Sequence, residues 1–521
     1  MSSRRHFLKR SAAWGAGLLL APGLLSTNSL KALKPSVGPG SGAASAGSGG
    51  GAGLGLPQDP EPPAWSKIFA QTQQPPYSSK RPPLGQRLFT SPKIEEVIRE
   101  TLPKIQDPKL AWQFANCFPC TLDTTVYFEK QGAQPNSFVI TGDIPAMWLR
   151  DSSAQVFPYL PYVKEDPALD EMIQGLIHRQ NACILIDPYA NAFNKEANGQ
   201  GAQKDLTKMK PEIWERKWEI DSLCYPVRLA YHYWKAGGSA QAFDQNWLDA
   251  MTLVVDTFVQ QQRKGGLRDS PYRFQRNTPV QTDTVALSGY GNPIKPCGLI
   301  VSTFRPSDDS TIFSFLIPSN MFAVVSLRHL AEMLLSLPLP ASHAGERQAL
   351  ARRCIALAQE VDEAIQTYGT VQHPKYGKIW AFEVDGYGNH NCMDDANVPS
   401  LLSAPYLGYC AKDHPIYLNT RRFIWSLDNP YFFEGEAIRG IGGPHQGINN
   451  VWPMSLIMYA LTSLHDEEIK ACIEAVSRTD AHTGFIHETV DKDNPEKYTR
   501  SWFAWANTLF GELLVIQSKR P

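Results

Sequence analysis

Six stretches of this 521-residue chain repeat apolar residues at i, i+3, i+4 and i+7, and that period constrains the fold more than any other feature. One stripe runs through Leu169, Met172, Ile173, Leu176 and Ile177, and a second through Phe243, Trp247, Val254 and Phe258. A third carries Phe322, Leu330, Met333 and Leu334 behind a cap expected at Ser319. Leu350, Cys354, Leu357, Val361 and Ile365 mark a fourth; Ile469, Cys472, Ile473 and Val476 a fifth; Phe503, Phe510 and Leu513 a sixth. Each pattern is that of a helix with one buried face. Short joints containing Pro or Gly, such as Leu337 to Gly345, fold neighbouring helices into antiparallel hairpins. No Gly-rich turn follows a strand, which excludes a doubly wound nucleotide-binding sheet.

The loops between the helices are long and hold most of the Gly, Pro, Trp, Asp and His clusters: Gly142 to Ser152, Arg305 to Ser310, Met393 to Pro399, Gly442 to Asn450 and Gly484 to Trp505. Long loops in a compact domain are functional or disordered, and their aromatic content argues for function. Helical hairpins set in a ring with loops gathered at one end form an (α/α) toroid. The stretches Ser137 to Ile140 and Lys378 to Val384 read as β-hairpin decorations on it.

The N-terminus reads as an address. Ser3-Arg4-Arg5-His6-Phe7-Leu8-Lys9, followed by an apolar run from Ala12 to Leu25, resembles a twin-arginine export signal. The expectation is a signal region at 1–34, a Gly/Ser/Ala-rich flexible linker at 35–56 and a single catalytic domain at 57–521, with the twin-arginine translocase as a partner during export. The protein is then periplasmic or otherwise extracytoplasmic, and anchored if the signal is retained. The net charge is −1 and no long basic run follows the first ten residues, which argues against nucleic acid as a partner. Of the nine cysteines, Cys117 and Cys120 have redox spacing, whereas Cys354 and Cys472 sit on apolar stripes and read as core packing.

Within Thr141 to Gln155, the acids Asp143 and Asp151 flank Trp148 and Arg150. An indole offers a flat surface to the apolar face of a pyranose, while Asp and Arg hold hydroxyls. A buried Arg150–Asp151 ion pair beside a core tryptophan would produce the same pattern. Glycosidic cleavage needs a proton donor and a second carboxylate. Five loop-borne acidic positions compete for those roles: Asp151, Asp221, the pair Asp308 and Asp309, the pair Asp394 and Asp395, and Glu488. Asp221 precedes the stripe Leu223, Val227, Ala230 and Trp234, so helix cap and general acid both remain open for it. Asp394 and Asp395 suit loop bracing better than metal ligation, and His487-Glu488 lacks the H-E-x-x-H spacing of a zinc site.

The ordered set GDIPAMWLRDSSAQ, EIDSLCYP, STFRPSDDST, MDDANVPSLL, GGPHQGINNVWPMS and HET…YTRSWFAWANTLFGELL resembles glycoside hydrolase family 125, from about Phe89 onward. The resemblance implies an exo-acting α-mannosidase for α-1,6 linkages, an (α/α)6 barrel, inversion of configuration, a mannose-containing glycan as substrate, and no required metal or cofactor. It also implies Asp221 as general acid and Glu488 as general base, with carboxyls about 6.5–9.5 Å apart for the attacking water. Arg150, Asp151, Arg305, Asp308 and His445 are the expected hydroxyl-binding residues, and Trp148 and Trp505 the stacking surfaces. Two other readings compete: a non-catalytic glycan receptor on the same toroid, and a polysaccharide lyase. A receptor could lack one of the two carboxylates, and a lyase would want a Tyr or His base with a basic patch.

Overall fold

Several helices begin where the sequence supplies a cap. Ser91 accepts from the Ile94 N–H at 3.1 Å ahead of α1 (Pro92–Thr101), and Asp107 from the Lys109 N–H at 2.8 Å ahead of α2 (Pro108–Cys117). Helix α3 (Leu149–Val156) has no side-chain cap; its N-cap residue is Trp148, the end of a two-residue strand. Asp166 caps α4 (Pro167–Ile186), with Pro at the first helical position. Helix α5 (Ile220–Lys235) is again uncapped, whereas Asp244 caps α6 (Gln245–Gln261). Then follow α7 (Ile317–Ser336), α8 (Ala344–Tyr368), α9 (Pro415–Ile424), α10 (Pro453–Leu461), α11 (Asp466–Arg478) and α12 (Ala504–Ser518).

This computed structural model describes residues 76–337 and 344–520. The export signal and linker expected at 1–34 and 35–56, the start of the domain up to residue 75, and the joint at 338–343 lie outside the described residues. The chain is mainly helical with small antiparallel sheets, and the six stripes form buried faces as their period requires. Ser319 does not act as a cap. Helix α7 starts at Ile317 with Leu316 in the N-cap position, and Ser319 lies inside the first turn, wholly buried, with no partner for its hydroxyl. Ile317 to Leu327 is buried without a break, so α7 belongs to the interior rather than to an amphipathic surface.

Helix α3 packs on α5, α5 on α7, α10 on α12, and α12 back on α3. Outside them α4 packs on α6, α6 on α8, and α8 on α7. A turn-rich segment after Val398 joins these helices: Tyr225 on α5 donates to the Val398 carbonyl at 2.9 Å, and Tyr406 donates to Glu512 on α12 at 2.9 Å. Val126–Gln131 and Gln134–Val139 form one hairpin, and Thr370–His373 and Gly377–Trp380 another. Glu383–Val384 leaves that second hairpin to pair with Phe315–Leu316 and His390–Asn391. Among the described residues no helix is long and apolar enough to cross a membrane. All nine cysteines are free thiols, and burial pushes the Cys117 thiol well up, away from redox reactivity.

Candidate active site

All five of the loop regions singled out in the sequence meet at one cavity of about 400 Å³. The first supplies Trp148, Arg150 and Asp151, the second Asp308, the third Asn397, the fourth His445, and the fifth Glu488 and Trp505. Helix starts aim them there. Trp148, Trp452 and Phe503 are the N-cap residues of α3, α10 and α12, and all three line the cavity. No side chain caps these helices; the positions that would hold a cap hold an aromatic ring instead.

On one wall, Arg150 gathers four carboxyls. Its Nη1 donates to Glu219 Oε2 at 2.6 Å and to Asp221 Oδ2 at 3.0 Å. Its Nη2 lies 3.6 Å from Asp308 Oδ1, and its Nε 3.5 Å from Asp151 Oδ2. Arg150 Nη1 is therefore engaged by protein, and the guanidinium both assembles the acids and lines the cavity. Burial pushes Asp151 up to about 6 against the pull of Arg150. Burial also pushes Glu219 well above the usual carboxylate range. Asp308 goes the other way: burial would raise it, but Lys217 and Arg150 outweigh that and hold it down at about 2.

Asp221 stands behind Arg150 in the first turn of α5. It is completely buried, its Oδ1 has no partner, its Oδ2 is taken by Arg150, and it is not among the residues lining the cavity. One carboxyl oxygen is thus left without a partner, and burial raises the Asp221 carboxyl against the pull of Arg150. It is not a helix cap: it sits in the first turn of α5, two residues past the N-cap position, which Glu219 occupies. Asp308, by contrast, lines the cavity with its side chain 23 % exposed. Its backbone lies at φ +68°, a region uncommon for non-glycine residues but tolerated by Asp. The turn is fixed by Lys217 Nζ on the Asp308 carbonyl at 2.8 Å and by Arg305 N–H on the Asp309 carbonyl at 2.8 Å.

Glu488 comes from the C-terminal part of the chain. Thr499 Oγ1 donates to its Oε2 at 3.0 Å, and Arg500 Nη1 lies 3.6 Å from its Oε1. Arg500 is tied to Asp143 and, at 3.1 Å, to the Thr141 carbonyl, which joins the last loop to the first. Trp505 packs edge-on against Tyr225, with ring centroids 5.9 Å apart. His445 stands exposed on a loop at the cavity.

Arg305 does not hold a place on the cavity wall. It is buried and donates to Glu383 Oε1 at 2.7 Å, while Glu383 also accepts from Asn391 Nδ2 at 2.9 Å. This is a brace for the turn that carries Asp308. Asp394 is a brace too: its two oxygens accept the Leu401 and Leu402 N–H groups at 2.9 and 3.0 Å. Among the described residues no group of three or more His, Cys, Asp and Glu is arranged to hold a metal ion. Sequence reasoning missed Glu219, Trp452 and Arg500. Each lies inside a stretch that stood out, but which side chain of a stretch faces the cavity is decided by tertiary packing.

Carboxyls and indoles sharing one cavity, with an arginine spent on positioning the acids, define a carbohydrate-processing enzyme on a helical scaffold. Residues 107–515 match the metal-independent α-mannosidases of glycoside hydrolase family 125, and the chain belongs to that family. It is 42 % identical, over 453 residues, to the Meiotically up-regulated gene 157 protein of Schizosaccharomyces pombe, covering 84 % of this chain and 87 % of that protein. A solved metal-independent α-mannosidase of Streptococcus pneumoniae, in a non-productive complex with α-1,6-mannobiose, shares 42 % identity with a TM-score of 0.79. That match covers 83 % of this chain and all of the other.

Proposed function

We propose that this protein is an exo-acting α-mannosidase that removes terminal α-1,6-linked mannose with inversion of configuration. The observation that carries the reading is one cavity shared by Glu488 and Asp308, with Trp148, Trp452 and Trp505 on its wall. The α-1,6-mannobiose held by the pneumococcal relative supports the linkage. The contacts that run from α3 through α5 to α7, and from α10 through α12 back to α3, support an (α/α)6 barrel with the remaining helices outside.

Asp221, in the EIDSLCYP segment, is assigned the role of general acid, and burial raises its carboxyl above the usual carboxylate range as that role requires. It protonates the leaving oxygen while Glu488 takes a proton from water on the opposite face of the sugar. Asp151 and His445 hold hydroxyls, and the indoles stack on the ring. Proton NMR during early turnover of α-1,6-mannobiose tests the reading: β-mannose appears first. Initial α-mannose overturns inversion, and faster release from α-1,2- or α-1,3-mannobiose overturns the linkage. Export through the twin-arginine route, to a periplasmic or extracytoplasmic site, is part of the same proposal and rests on Arg4, Arg5 and Phe7.

A further inference from the structure

Glu488 has one oxygen held and one left open. Thr499 Oγ1 donates to Oε2 at 3.0 Å, and a hydroxyl has a single proton to give. Thr489 Oγ1, 2.6 Å from Thr499 Oγ1, is therefore the donor of that second pair, and the Thr489 N–H reaches the same oxygen at 3.2 Å. The two threonines face each other across the antiparallel strands Thr489–Asp491 and Tyr498–Thr499, so sheet register aims the carboxylate. Among the described residues no hydrogen bond reaches Oε1. Arg500 Nη1 stops 3.6 Å from it, beyond hydrogen-bond length.

The first loop keeps Arg500 at that distance. Arg500 Nη2 is bonded to Asp143 Oδ1 and donates to the Thr141 carbonyl at 3.1 Å. A Cβ on Gly142, between those two residues, would come within 3.1 Å of the same Nη2, so the guanidinium lies against bare backbone. Arg500 has φ +49°, uncommon for a residue with a side chain. Its carbonyl accepts from His487 Nδ1 at 3.1 Å, and the His487 ring stacks on Tyr498 with centroids 3.8 Å apart. The other charged groups around the cavity are Arg150 and Asp151 from α3, Asp308 from the turn after Arg305, and His445 from the fourth loop. Arg150 is set among its own acids, and Asp151 also feels the charge of Arg500. Asp480, whose charge reaches His487, is paired with Lys109 at 2.8 Å. Asp143 is thus the carboxylate that competes with Glu488 for the guanidinium, and it does so from outside the cavity, with its side chain 49 % exposed.

We propose that Asp143 is a positioning residue for the base: it holds the Arg500 guanidinium off Glu488 Oε1, so that this oxygen stays free for the proton of the attacking water. The proposal rests on Glu488 being the general base. A guanidinium in hydrogen-bond contact would favour the ionised carboxylate and fill the lone pair that the proton needs. With no guanidinium nearby, burial alone would act on the carboxylate and disfavour its charge. The tie to the first loop keeps Arg500 between those limits. Its charge still attracts the carboxylate, and its N–H groups do not occupy it. The base therefore depends on a side chain it does not touch.

The test reads the acidic limb of the kcat/KM–pH profile, which reports the base of the free enzyme. Asp143→Asn frees the guanidinium to close on Oε1 and removes a negative charge, so the limb moves to lower pH by about half a unit or more, and kcat falls about tenfold. The loss is as large on an aryl mannoside as on α-1,6-mannobiose, because both need the water activated. Arg500→Met moves the limb the other way, to higher pH. In the Arg500→Met background Asp143→Asn moves it no further, since Asp143 acts through Arg500. A limb that stays fixed or moves to higher pH in Asp143→Asn overturns the proposal, as does an equal shift in both backgrounds. If Asp143→Asn does not fold, an unmoved limb in Arg500→Met overturns it alone. Glu488→Gln separates the two levels. If that variant still cleaves mannobiose, the assignment of Glu488 has failed. If it is inactive while the limb stays fixed in Asp143→Asn, only the role of Asp143 has failed.

Discussion

At the scale of single residues, the distinction between Asp308 and Asp221 can be read by chemistry. Asp221→Asn and Glu488→Gln should each lose about 10²–10⁴-fold in kcat/KM on α-1,6-mannobiose. An aryl mannoside should restore part of the activity of Asp221→Asn and none of that of Glu488→Gln. Asp308→Asn should show no such substrate preference; if it does, the acid is Asp308. Asp151 offers a separate check on the electrostatics. Its carboxyl is raised from 3.8 to about 6 in the folded protein, so the folded state keeps a proton that the unfolded chain gives up. The stability this contributes is complete below the unfolded value and is lost as pH rises through about 6. Asp151→Asn removes that dependence, so its melting temperature relative to the parent should improve between about pH 4 and about pH 7. A difference that stays constant across the range would place the ordinary carboxylate value at this site.

Elements explain why the loops were legible and the individual contacts were not. The stripes at Leu169 to Ile177 and Leu350 to Ile365 announced helices because each has one wet face. Helices α7 and α12 are buried nearly all round, so their period gave no direction, and Ser319 passed for a cap when it is an interior residue. Glu219 and Asp221 differ by two positions in one motif, and spacing could not say that both point at Arg150 from behind the cavity. What was visible in the third loop was its stiffness. Asp394 accepts two successive backbone N–H groups. Asp394→Asn must turn an amide N–H₂ toward one of them, at a cost of about 1–3 kcal/mol for the buried group left unpaired. Chemical denaturation should register this as a lower midpoint, with a drop in kcat if Asn397 shifts. An unchanged midpoint would mean that the loop is held by other contacts.

The whole molecule carries two further expectations. Dialysis against EDTA should leave mannobiose hydrolysis intact, since two carboxylates suffice for the chemistry; activity lost and then restored by calcium or zinc would point to an ion these residues do hold. Replacing Arg4 and Arg5 with Lys should leave the protein in the cytoplasm of a twin-arginine-competent host, and unchanged periplasmic yield would remove the export assignment.

The tie between Arg500 and Asp143 links residues 357 positions apart, and Glu488 depends on the same late loop. At about 5–20 residues per second of synthesis, the first wall of the cavity waits some tens of seconds for its counterpart. No fragment released in that interval owns both walls of the cavity, so a ribosome that stalls early produces no partial hydrolase. Sugar cleavage in this protein is therefore a property of the finished polypeptide, and its appearance in a timed translation reaction marks the moment at which the two ends of the domain find each other.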